Sequence, residues 1–178
     1  MIYYAGIGSR KTPLPTLDIM TAFGKRFAEL GLTLRSGGAD GADTAWEKGC
    51  DLAHGEKEIY LPRAKFNGNP SFLHPPSDAA IEMGKKFHPL GQGLPRKYWN
   101  MMGRNCHQVL GQDLETRVAF VMCWTKHGDL VGGTAQALRI AIAYDIPAFN
   151  LYNPDFVQLR NLLVSLGVQG LRDVAETA

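Results

Sequence analysis

Leu32-Thr33-Leu34-Arg35-Ser36-Gly37-Gly38-Ala39-Asp40-Gly41-Ala42-Asp43 reads as a buried strand over Leu32 to Arg35 that runs straight into a glycine loop, and from there into a helix reaching about Leu52. Strand, glycine turn and helix in immediate succession are the unit from which parallel sheets are built. The pattern recurs on both sides of this stretch. Upstream, Ile2 to Ile7 is a short apolar run closed by Gly6-Ile7-Gly8-Ser9-Arg10. Pro13 and Pro15 are expected to hold the next segment extended, and Thr16 to cap a helix carrying Leu17, Met20, Phe23, Phe27 and Leu30 on one face, ended by Gly31.

Downstream, Glu58 to Leu61 reads as a third strand stopped by Pro62. From Arg63 to about Pro95 the composition turns to Pro, Gly, Asn, Ser and His around one helix, Asp78 to Lys86; residues 63–95 are read as an insertion, with a lid as one role open to it. Tyr98 to Leu110 has helical spacing, and Val118 to Trp124 is a strongly apolar fourth strand. Thr125 to Asp129 opens a loop that meets Gly132-Gly133-Thr134, followed by a helix to Tyr144, a fifth strand over Pro147 to Leu151 and a closing helix over Asp155 to Leu166. Alternating strands and helices imply parallel pairing with right-handed crossovers. The expected fold is therefore α/β: a Rossmann-like parallel sheet of about five strands flanked by helices, in a single domain over 1–178.

Bulk properties narrow the partners. A chain of 178 residues, 45% hydrophobic, can bury one substantial core. Nineteen basic against 17 acidic residues leave a net charge of +2, which argues against a nucleic acid or an anionic membrane and leaves room for a small anionic ligand. Cys50, Cys106 and Cys123 are odd in number and widely spaced, which points to reduced structural thiols. Met1 leads directly into the first strand without a basic leader, and no apolar run approaches the ~20 residues of a membrane helix, so a cytoplasmic protein is expected.

Three glycine loops, Gly6/Gly8, Gly37/Gly38/Gly41 and Gly132/Gly133, fall at the carboxyl ends of strands, where open sheets of this class bind ligands. Glycine lets the backbone approach a ligand closely, so that consecutive N–H groups turn toward phosphate oxygens at the positive end of a helix. Ser9 and Ser36 lie in these loops, where hydrogen bonding to a ligand is favoured over nucleophilic attack because no G-x-S-x-G elbow is present, and Arg10, after the first turn, is favoured for a phosphate or ribose role over a surface one. Asp40 and Asp43, with Glu47 one turn further on, are candidate acids or bases; the same carboxylates suit a helix N-terminus. Trp124 could stack on a base or simply fill the core, whereas Trp46 and Trp99 read as packing residues. The histidines show no metal-ligand spacing, so neither a metal nor a cofactor is assigned. Neither a Walker loop nor a G-x-G-x-x-G fingerprint occurs.

Taken together, Gly6 to Arg10, Ser36 to Asp43 and Gly132-Gly133-Thr134-Ala135-Gln136 resemble the SLOG superfamily, which joins the LONELY GUY phosphoribohydrolases with the Smf/DprA Rossmann-like domains. The resemblance spans roughly residues 1–151 outside the insertion. It implies a nucleotide or nucleotide-derived ligand, with Gly132, Gly133 and Thr134 on phosphate and the Ser36 to Asp43 loop, Gly37 and Gly38 included, near the sugar. It also makes Arg104 a counterpart of the arginine that precedes the fourth strand in the hydrolytic branch. That branch carries Pro-Gly-Gly-x-Gly-Thr-x-x-Glu, whereas here Val131 replaces the proline and Gln136, Leu138 or Arg139 stands where the carboxylate belongs.

Three functions follow as expectations: a sensor, carrier or sequestering protein for a nucleoside phosphate or an ADP-ribose-like ligand; an N-glycosidase on a nucleoside 5′-monophosphate, with Asp40, Asp43 or Glu47 as the carboxylate; and, disfavoured by charge, a single-stranded DNA-binding domain. The resemblance further implies a homo-oligomer, for which the apolar helix around Tyr98 to Leu110 is the candidate surface.

Overall fold

The computed structural model describes residues 1–89 and 93–171; residues 90–92 of the segment read as an insertion lie outside the described residues. Five strands, β1 (Ile2–Gly6), β2 (Leu32–Ser36), β3 (Lys57–Ile59), β4 (Phe120–Cys123) and β5 (Ala148–Asn150), form one sheet in the order β3-β2-β1-β4-β5. Every pairing is parallel, with Tyr4 opposite both Leu34 and Phe120. The chain therefore builds outward from β1 to β3, returns across the sheet, and builds outward again through β4 and β5. The direction reverses between β1 and β4, and that crevice is where such a sheet offers a ligand site.

Side chains alternate across the strands and divide the core into two layers. Tyr4, Leu34, Phe120 and Met122 face helices α1 (Leu14–Glu29), α2 (Ala42–Leu52) and α6 (Phe156–Ser165), where they pack with Phe23, Phe27, Trp46 and Leu159. Ala5, Val121 and Cys123 face the other way, toward α3 (Asp78–Phe87), α4 (Arg96–Leu110) and α5 (Thr134–Ala143), packing with Val109, Ala137 and Ile140. Trp46 and Trp99 are core residues, as their apolar surroundings require.

Helix α1 begins earlier than the sequence suggests. Pro13 is its N-cap and Pro15 sits in its first turn, so Thr16 is already helical. Proline is tolerated there because a first-turn N–H has no intrahelical acceptor, and its fixed φ suits the helix. Within segment 63–95, helix α3 is tied to its neighbours. Ser77 caps α3 through its hydroxyl, Gln136 Nε2 donates to Gly84 O at 2.7 Å, and His107 Nε2 accepts from the Ser77 N–H at 3.2 Å. These bonds hold α3 on α4 and α5. The apolar residues of α4, expected to serve self-association, are consumed inside the fold: Trp99, Met102, Cys106, Val109 and Leu110 are all buried. Among the described residues no helix is long and apolar enough to cross a membrane.

Candidate functional site

A cavity of about 920 Å³ opens at the carboxyl ends of β1 and β4. The turn after β1 contributes Gly8 to Lys11, the segment after β4 contributes Trp124 to His127, and the start of α5 contributes Gly132 to Thr134. Helix α4 supplies the opposite wall through Met101, Met102, Arg104, Asn105 and Gln108, and α2 supplies Asp43. Topology alone brings these segments together, since each follows a strand that ends at the same rim.

The buried end of the cavity is an ion pair. Arg104 Nη1 donates to Asp43 Oδ2 at 3.1 Å, with both side chains 5% exposed, and the same oxygen accepts the Ala39 N–H at 3.3 Å. Burial pushes the Asp43 carboxyl above its ordinary value, while Arg104, the Ala39 N–H and Arg10 pull it down. Burial likewise lowers Arg104, and Asp43 opposes that shift. Desolvation prevails on both partners, as expected where two charges leave water together. Two buried donors beside the pair, Arg104 Nε and Gln108 Nε2, have no hydrogen-bond partner among the described residues.

Gly37 makes this arrangement possible. A Cβ on it would lie 1.2 Å from Arg104 Nη1 and 2.6 Å from Gln108 Nε2, so the guanidinium occupies the space that any side chain would fill. Gly37 and Gly38 are absent from the cavity wall; Gly38 instead packs toward Leu61, and its carbonyl accepts from Asn67 Nδ2 at 3.0 Å. Ser36 is fully buried, its hydroxyl donating to Gly6 O at 2.7 Å, which ties β2 to β1. Gly6 faces Trp46, whose ring leaves no room for a Cβ.

The glycine turn before α5 is different. At Gly132, with φ of +67°, and at Gly133 an added Cβ would meet nothing within 4 Å, so this backbone stands open to the cavity. Asn105 Nδ2 donates to Gly133 O at 2.9 Å and anchors the turn to α4. Among the described residues nothing accepts a hydrogen bond from the N–H groups of Gly132, Gly133 and Thr134, nor from those of Gly8 and Arg10. The turn after β1 is held by the Ser9 N–H bonded to Trp124 O at 3.2 Å and by the Ser9 hydroxyl accepting from the Lys11 N–H at 3.0 Å.

Of the expected site residues, the structure brings Gly8, Ser9, Arg10, Asp43, Arg104, Trp124, Gly132, Gly133 and Thr134 to one cavity. Asp40 is exposed and outside its wall. Glu47 is also outside it, bonded to Lys57 Nζ and Asn69 Nδ2, each at 2.9 Å. Sequence reasoning passed over Lys11, Asn105, Gln108, Lys126, His127 and Tyr152, which also line the cavity. Their only signal was proximity to the strand ends and to Arg104. His127 Nδ1 and the Tyr152 hydroxyl lie 3.3 Å apart and pair the loops after β4 and β5. No group of three or more His, Cys, Asp or Glu among the described residues is disposed to hold a metal.

No family model and no curated protein matches the sequence. The fold is similar to that of a Moco carrier protein from Chlamydomonas rheinhardtii, at 18% identity over 94% of this chain and 85% of that one, with a TM-score of 0.50. It is also similar to that of DNA processing protein A from Helicobacter pylori, a protein with a single-stranded DNA binding mode, at 16% identity over 98% and 77% of the two chains, with a TM-score of 0.53. At these identities the likeness concerns the fold, and the Rossmann-like arrangement implied by the SLOG resemblance is the arrangement of this chain. The exclusion of nucleic acid from net charge does not stand, because a protein of this fold binds single-stranded DNA. Net charge sums the whole surface, whereas a strand responds to the local field of a groove.

Proposed function

We propose that the chain binds a nucleotide or nucleotide-sugar in the cavity between β1 and β4, as a sensor, carrier or sequestering protein. The observation that carries this reading is the convergence of unpartnered backbone N–H groups from two turns with Arg10 and Arg104 on one cavity. Backbone amides at the start of a helix attract anions through their partial charge and the helix dipole, and they suit phosphate oxygens. Gly132, Gly133 and Thr134 hold phosphate; Asp43 and Gln108 face the ribose or base at the buried end, with Trp124, Met101 and Met102 as the apolar walls.

Cleavage of the glycosidic bond draws less support. Asp40 and Glu47 lie outside the cavity, and Asp43 is engaged with Arg104, so among the described residues no free carboxylate stands ready beside a leaving base. Calorimetry against nucleoside 5′-phosphates, ADP-ribose and cyclic ADP-ribose tests the binding reading, and chromatography of the same mixtures for free base tests turnover. Silence across the whole calorimetric panel would overturn the reading.

Single-stranded DNA is a second reading. Arg10, Lys11 and Lys126 stand exposed on the cavity wall without an ion-pair partner among the described residues, which favours a phosphate backbone as well as a small anion. A mobility shift whose affinity falls steeply with salt is its expected signature.

A further inference from the structure

We infer that the ligand of this cavity carries two adjoining anionic groups in a diphosphate-type linkage, one seated on each of the two turns, rather than a single phosphate. The inference rests on the nucleotide reading above and concerns the phosphate count within it.

Charge balance is the first argument. Arg10, Lys11, Arg104 and Lys126 line the cavity against Asp43, the only carboxylate in its wall among the described residues. Asp43 neutralises Arg104 at the buried end, which leaves Arg10, Lys11 and Lys126 uncompensated. A phosphate monoester brings about −1.5 to −2 near neutral pH, less than three cations call for. A nucleoside diphosphate brings roughly one charge more and closes the balance.

Donor placement is the second argument. The unpartnered N–H groups fall into two sets, Gly8 with Arg10 after β1 and Gly132, Gly133 and Thr134 before α5. These sets belong to the connections that follow the neighbouring parallel strands β1 and β4. The Ser9 to Trp124 backbone bond ties the first connection to the start of the second, and the Asn105 to Gly133 bond anchors the second to α4. Arg10 and Lys11 lie in the first connection and Lys126 in the second. One phosphate seated on either set leaves the donors of the other empty. At the opposite end Asp43 and Arg104 balance each other, so the uncharged part of the ligand points inward.

The test is calorimetry with AMP, ADP, GMP and GDP on the intact chain, repeated with the variant carrying Lys11→Ala and Lys126→Ala. Both lysines are exposed, so the variant keeps the fold, which circular dichroism verifies. The expected result is that a diphosphate binds about tenfold or more tightly than the matching monophosphate, and that the double variant erases this advantage. Equal affinity for mono- and diphosphates overturns the inference and leaves the nucleotide reading standing. No binding of any of the four overturns both. Displacement of bound ADP by an oligothymidylate of higher affinity also overturns the inference, in favour of single-stranded DNA as the occupant.

Discussion

Arg104 on α4 reaches Asp43 in the first turn of α2 across 3.1 Å, through the space left by the missing side chain of Gly37, and the two charges meet almost wholly out of water. The pair joins the two helical layers over the ends of the strands. It also makes the buried end of the cavity polar yet electrically balanced.

Removing one partner strands the other. Arg104→Met should cost about 3–5 kcal/mol of stability at neutral pH, as for other broken buried pairs, while Asp43→Asn combined with Arg104→Met should recover part of that loss. Urea denaturation of the single and double variants measures this, and additive losses would contradict the coupling.

The pH dependence has a defined sign. Asp43 titrates above its ordinary value of 3.8 in the fold because of burial, with Arg104 opposing the shift. A carboxyl raised on folding contributes stability that is complete below 3.8 and is lost as pH climbs through the raised value. Without Arg104 the rise is larger, so the penalty of Arg104→Met should grow as pH increases from acid toward neutrality. Urea midpoints followed across that range check it, and adding Asp43→Asn should flatten the curve.

Gly37→Ala should unfold or distort the site, since its Cβ would meet the guanidinium at 1.2 Å; a loss of about 1–3 kcal/mol or more follows from forcing volume into a packed interior. Gly133→Ala should leave the melting temperature nearly unchanged, because the Cβ meets nothing and φ is −65°. On the proposed function it should nonetheless weaken nucleotide binding, because that Cβ enters the space of the ligand. Thermal melts and calorimetry on both variants separate the two glycine roles.

Ser36→Ala should cost about 1 kcal/mol by deleting its hydrogen bond to Gly6 O, yet leave ligand affinity within a factor of about two, because the hydroxyl is spent between strands. A large drop in affinity at unchanged stability would place Ser36 in the site after all.

Ligand binding should alter tryptophan fluorescence through Trp124, which lines the cavity, whereas Trp46 and Trp99 do not. In Trp124→Phe the emission change on addition of nucleotide should disappear while calorimetric binding persists.

Local rules carried the sequence reading far at some positions and misled it at others. The apolar runs at Ile2, Leu32 and Phe120 announce strands because each is short, buried on both faces and followed by a turn. The start of α1 was misplaced because proline can open a helix as readily as interrupt one, and only the fold decides which. Glu47 looked like a reserve carboxylate from its spacing of one turn after Asp43. Its partners, Lys57 and Asn69, come from later segments that no helical period can reveal.

By itself the sequence determined the α/β class, the five strands and the places where glycine lets the chain turn, because hydrophobic periodicity and backbone sterics act over a few residues. Only the tertiary structure decided which glycine loop stands open and which is filled by Arg104, which carboxylate reaches the cavity, and that Lys11 and Lys126 flank it. Those outcomes depend on strand order and on contacts between segments distant in the chain, and burial and Coulombic energies are set by those distances in space.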